Sequence, residues 1–165
     1  RLLALALALA GVMALALLTG CSDSSSKAKQ VEECFRYRMG RNTNYQKDET
    51  LDKKLEVIAQ KFQPDWLKDE KGELTSEART IIRNELRDYL VTGGVWLWYG
   101  EVKPEQSALA QAESMKQCNM VGFGRYDSSG TALNAIAFTR TDKKSDGHRY
   151  YLALVTYATI KTPQN

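Results

Sequence analysis

The chain changes its hydrophobic period at Gly93-Gly94, and that switch restricts the fold more than any other feature of the sequence. Upstream, apolar residues recur at steps of three and four, the spacing that places them on one face of a helix. Downstream they alternate and become aromatic and β-branched, as strands require. A pattern of one period does not settle into the other structure. The expected class is therefore α+β, with N-terminal helices packed on one face of a C-terminal antiparallel sheet.

The upstream stripes locate the helices. Val31, Cys34, Phe35 and Arg38 predict a short helix over 31–39, followed by a polar loop over 40–48. Leu51, Leu55, Ile58, Ala59 and Phe62 share one face of a second helix, capped by Thr50 and stopped by Pro64. Ala78, Ile81, Ile82, Leu86, Tyr89 and Leu90 define a third, capped by Ser76, for which Gly93-Gly94 supplies the left-handed stop.

The strands begin with Val95-Trp96-Leu97-Trp98-Tyr99. Alternation sets Val95, Leu97 and Tyr99 on one face and Trp96 and Trp98 on the other. Both faces are apolar, so this strand is either covered on both sides or shows its aromatics to a partner. A short helix opened by Pro104 runs to about Gln117, and Cys118 follows it. An antiparallel meander is expected after that, with strands over 120–126, 131–140 and 148–160 joined by turns at 127–130 and 142–147.

The first twenty residues belong to none of this. Arg1 precedes an unbroken apolar run from Leu2 to Leu18, the composition of a secretory signal. The run ends in Leu18-Thr19-Gly20-Cys21, which resembles the lipobox of bacterial lipoproteins; the Ser-rich stretch after it gives an uncleaved transmembrane anchor no purpose. The resemblance covers residues 1–21 only. It implies cleavage before Cys21, a diacylglyceryl group and further fatty acylation such as palmitate on that residue, and attachment to a membrane through the lipid. It further implies a periplasm-facing domain. Ser22 rather than Asp follows Cys21, which by the same resemblance favours the outer membrane, with the inner membrane the alternative. The expected organisation is a signal over 1–20, a lipidated cysteine and flexible tether over 21–30, and one domain over 31–165.

Removing residues 1–20 leaves 145 residues and lowers the net charge from +3 to +2. That length can bury a core of its own. The near balance of charge argues against a nucleic-acid partner. With Cys21 committed to lipid, an oxidising compartment makes Cys34 and Cys118 disulfide partners, the alternative being two unrelated buried thiols. Their 84-residue loop would contribute roughly 4 kcal/mol in the chain-entropy model.

Catalytic chemistry finds few residues. His148 is the one histidine and stands beside a turn glycine, so a Ser-His or Cys-His arrangement would have to use it. One histidine and no cysteine cluster leave no metal site to nominate, and no cofactor is implied. Carboxylate chemistry would fall to Glu101, with Glu105 as companion, in a small carbohydrate- or wall-active enzyme. The preferred expectation names no catalytic residue. It is a non-enzymatic binding, assembly or inhibitory accessory of the cell envelope, with Trp96, Trp98 and Tyr99 as the binding face for a protein or a glycan. The competing use of those rings is as the lid of the core. Lys27, Lys29, Arg36, Arg38 and Arg41 cluster near the tether and either meet acidic lipid or wall groups or form a solvated face interrupted by Glu32 and Glu33.

Overall fold

The computed structural model describes residues 24–68, 71–124 and 130–160. Among them run four helices, α1 (Ser24–Met39), α2 (Glu49–Lys61), α3 (Ser76–Leu86) and α4 (Ala108–Ser114), with a 3₁₀ turn at Pro64–Trp66. Six strands complete the fold: β1 (Leu90–Glu101), β2 (Lys116–Gln117), β3 (Val121–Phe123), β4 (Thr131–Leu133), β5 (Ile136–Arg140) and β6 (Tyr150–Ile160). The class is α+β, with helices in the N-terminal part and an antiparallel sheet in the C-terminal part.

The centre of the sheet is the pairing of β1 with β6, in register from Thr92↔Thr159 to Glu101↔Tyr150. The short strands β2 and β3 pair with the outer edge of β1, while β4 and β5 pair with the outer edge of β6. The expected meander is therefore corrected: β3 and β4 lie at opposite edges, and of the three strands expected only those over 131–140 and 148–160 pair with each other. Alternation assigns a residue to a face, and it carries no information about which strand lies beside it. The single strand expected over 131–140 is broken at Asn134-Ala135, where Gln46 bridges Ala135 and its backbone exchanges hydrogen bonds with Asn134 and Ile136. Thr156, fully buried, stitches this break to β6. Its hydroxyl donates to the Leu133 carbonyl at 3.0 Å and accepts from the Ala135 amide at 3.0 Å.

Helices cover both faces of the sheet, a correction to the single covered face expected. Val95, Leu97, Leu152 and Leu154 face α2 and α3, which contribute Leu51, Leu55, Ile58, Ala78, Ile82 and Leu86. Trp98, Tyr151, Ala153 and Val155 face α1 and α4, which contribute Val31, Phe35, Ala108 and Ala112. Both parity sets of the two central strands are apolar, so each face needs its own cover. At about 1.5–3 kcal/mol per large buried side chain, either layer alone is a major stabilising term.

Local signals explain where the elements start. Asp48 caps α2, accepting from the Leu51 amide at 2.7 Å, in place of Thr50. Its other oxygen accepts the Tyr89 hydroxyl at 2.6 Å and ties α2 to the segment that follows α3. Thr75 rather than Ser76 caps α3, and Ser107 rather than the Pro104 turn opens α4. Helix α1 begins at Ser24, inside the segment expected as tether, and the Lys27 ammonium donates to the Gln106 carbonyl before α4. Gly93 does not stop a helix, since α3 ends at Leu86. It sits within β1 at φ +91°, where a Cβ would stand 2.3 Å from the Tyr157 carbonyl oxygen, so only glycine lets β1 pair closely with β6.

Candidate functional site

The aromatic strand separates into three environments. Trp98, 8% exposed, is core: the Phe35 ring meets it edge-on at 5.5 Å, and the Arg38 guanidinium lies 5.2 Å over its face. That guanidinium also donates to the carbonyls of Ala112 (3.0 Å) and Glu113 (3.2 Å), at the negative end of α4. Arg38 thus clamps α1, α4 and the sheet together. Tyr99 points to the other face, where it is half-buried against the α2–α3 cluster. The face expected to carry Trp96, Trp98 and Tyr99 together does not exist as one surface.

Trp96 is the boundary. It stands on the same face as Trp98, two residues back, half-buried at the edge of the α1–α4 roof. Beyond it no helix among the described residues covers the face. Gly94 pairs with Tyr157 on β6, and the Met120 side chain lies so close over Gly94 that an added Cβ would meet its sulfur at 2.3 Å. Tyr157 is 71% exposed and Met120 45%. Trp96, Met120 and Tyr157 lie on one face around Gly94 and form an apolar strip. Sequence reasoning reached Trp96 but missed Met120 and Tyr157. The alternation of β6 marks Tyr157 as facing the same way as Val155, but nothing local says that the roof ends between them.

A second feature gathers at the far end of β1. Glu101 Oε1 lies 3.1 Å from His148 Nδ1, a pairing of two residues that the sequence offers separately. Asp146 accepts the Tyr150 hydroxyl and the His148 amide, and these bonds hold its carboxyl below the usual carboxylate range. Burial first, then the bond to Asp146, raises the Tyr150 phenol well above the ordinary tyrosine value. The buried Gln111 fixes the backbone on either side, donating to the Glu101 carbonyl and accepting from the Lys103 amide. A cleft of about 360 Å³ opens alongside, lined in part by Leu67, Tyr99, Glu101, Lys103, Ser114 and Tyr150.

The chemistry of this end is limited by exposure and by partners. Glu101 and His148 are 38% and 54% exposed, so their attraction is screened by water. The Ser114 hydroxyl, on the wall of the cleft, donates to the Gln111 carbonyl. Glu105 is exposed in the loop after β1. No group of three or more His, Cys, Asp or Glu side chains suited to a metal ion occurs among the described residues.

Cys34 and Cys118 are free thiols, which corrects the expected disulfide. Cys118 belongs to the cluster under α2 and α3, and Cys34 packs against the cluster under α1 and α4. The sheet stands between them. Burial pushes the Cys118 thiol up to about 12 and also raises Cys34, with Glu33 and Glu113 adding to the latter. Cys21 lies outside the described residues.

Comparison finds no family model, no curated protein and no solved structure that matches this chain.

Proposed function

We propose that the protein is a lipid-anchored, periplasm-facing lipoprotein of the bacterial envelope that works as a non-enzymatic accessory by binding another envelope protein through the Trp96–Met120–Tyr157 strip. The observation that carries this reading is the part of the α1–α4 face that no helix among the described residues covers, where a 71%-exposed tyrosine and a 45%-exposed methionine adjoin a half-buried tryptophan. Aromatic and methionine side chains of this kind are enriched at interface hot spots.

The position of the strip favours a protein occupant over the membrane. Lipid on Cys21 would lie just ahead of α1, whose first turns are held by Lys27 at Gln106, beyond the Glu101 end of β1. Gly94 and Tyr157 are seven strand residues from Glu101, roughly 23 Å. A domain tethered at one end of the sheet turns the other end toward the periplasm. Two measurements test the reading. Labelled fatty acid should enter the wild type and not Cys21→Ser, because a hydroxyl cannot replace the thiol as acceptor. A photo-cross-linking residue at 157 should trap one defined envelope protein, and a trapped second copy of the chain or lipid would remove the reading.

The Glu101–His148 pair beside a cleft supports a second reading, a small carbohydrate- or wall-active enzyme using carboxylates. Its demand is specific: Glu101→Gln should abolish glycan turnover while leaving the melting temperature within a degree or two. Equal turnover in the wild type and Glu101→Gln would remove it.

A further inference from the structure

The basic cluster expected near the tether divides, in the fold, into residues with internal work and residues without it, exposed Lys29 among the latter. Lys27 is held at Gln106, and Arg38 clamps α4 and Trp98. Arg36 gives one nitrogen to Glu32 at 3.4 Å, but its Nε–H is buried with no hydrogen-bond partner. Arg41 has no carboxylate partner among the described residues and lies 5.8 Å over the exposed ring of Tyr37.

Arg36 and Arg41 both line a cavity of about 390 Å³, together with Asn42, Thr43, Asn44 and Tyr45. No acidic residue lines it among the described residues. The side chains of Asn42, Thr43 and Asn44 make no hydrogen bond with any other described residue. The loop that carries them is nevertheless pinned at both ends. The Gly40 amide donates to Arg36, and Gln46 donates to Asn134 and accepts from Ile136. A loop fixed at its ends presents its polar groups without first having to be ordered, which lowers the cost of binding.

We infer that this cavity binds an acidic saccharide, a sugar ring bearing a carboxylate. A guanidinium presents paired N–H groups that match a carboxylate, and Arg36 and Arg41 are the cationic groups on the wall. Neighbouring hydroxyls of a sugar each donate and accept, which the amides of Asn42 and Asn44 and the hydroxyl of Thr43 reciprocate. The Tyr45 ring supplies an apolar wall for a ring face. Neutral sugars and free anions each use only part of this set. The inference involves no residue of the Trp96–Met120–Tyr157 strip and stands or falls apart from it.

The test is calorimetric titration of the full-length protein in detergent with three probes: a hexuronic acid oligosaccharide, its methyl ester and inorganic phosphate. The acid should bind, with the ester at least ten-fold weaker and phosphate weaker still. Arg41→Gln should weaken the acid ten-fold or more without moving the melting temperature, since Arg41 is exposed. Asn42→Ala and Asn44→Ala should each weaken it several-fold, and Tyr157→Ala should leave it unchanged. Binding of the ester or of phosphate as tight as that of the acid would overturn the inference. So would unaltered affinity in Arg41→Gln, or no heat of binding at millimolar acid.

Discussion

Trp98 and Tyr157 stand on the same face of the same sheet and meet opposite fates. Trp98 lies under α1 and α4, ringed by Phe35 and Arg38, and is 8% exposed. Tyr157 lies past the edge of that roof and is 71% exposed. What separates them is the reach of two helices, one of sixteen residues and one of seven, laid over strands of twelve and eleven. An aromatic residue on a strand is thus core or contact surface according to what lies over it, and residue type alone does not decide.

The largest effect should come from the roofed end. Trp98→Ala removes a buried indole and leaves a cavity that Phe35 and Arg38 cannot fill, so unfolding free energy should fall by about 3–5 kcal/mol in denaturant titration. A loss below about 1 kcal/mol would erase the distinction between the two ends. Next in size is Thr156→Val, which leaves the Leu133 carbonyl and the Ala135 amide without their bond inside the protein. It should cost about 1–3 kcal/mol. Thr156 lies at the level of the bare strip, so its substitution tests whether polar stitching keeps the unroofed end ordered. Arg38→Ala takes away a cation–π contact and the cation at the end of α4, and should cost about 1–2 kcal/mol with no cavity in the sheet.

How much of this was legible in the sequence follows one physical line. Periodicity reports on the face a residue occupies, and it assigned Val95, Leu97 and Tyr99 against Trp96 and Trp98 correctly. It also found the stripes of α2 and α3. It could not report on neighbours distant in sequence. The pairing of β1 with β6, the placement of β3 and β4 at opposite edges and the meeting of Glu101 with His148 all depend on residues 25 to 70 positions apart in the chain. The two cysteines show the same limit: their number and expected compartment favour a bond, but their faces forbid it. The caps of α2 and α3 lay one or two residues ahead of the expected ones, because Asp, Ser and Thr all serve and adjacent candidates compete.

Chemical labelling checks the cysteine correction and marks the two layers. In protein unfolded without reductant, Cys34 and Cys118 should both alkylate. In the folded protein at pH 8, Cys118 should stay unreactive, because burial holds its thiol near 12 and closes access, while half-exposed Cys34 reacts slowly. Resistance of both to alkylation until reduction would restore the bond between them.

The smallest effect on stability should come from the bare end. Tyr157→Ala should change unfolding free energy by less than about 0.5 kcal/mol, since its ring covers no core. Its effect should appear in binding. The most direct measurement of the central claim is site-specific photo-cross-linking in intact envelopes, with the probe placed in turn at positions 120, 157 and 109. Leu109 is an exposed apolar control on α4, 55% exposed. The account predicts one shared protein adduct from 120 and 157 and none from 109. No adduct from 120 and 157, or the same adduct from all three positions, would contradict it.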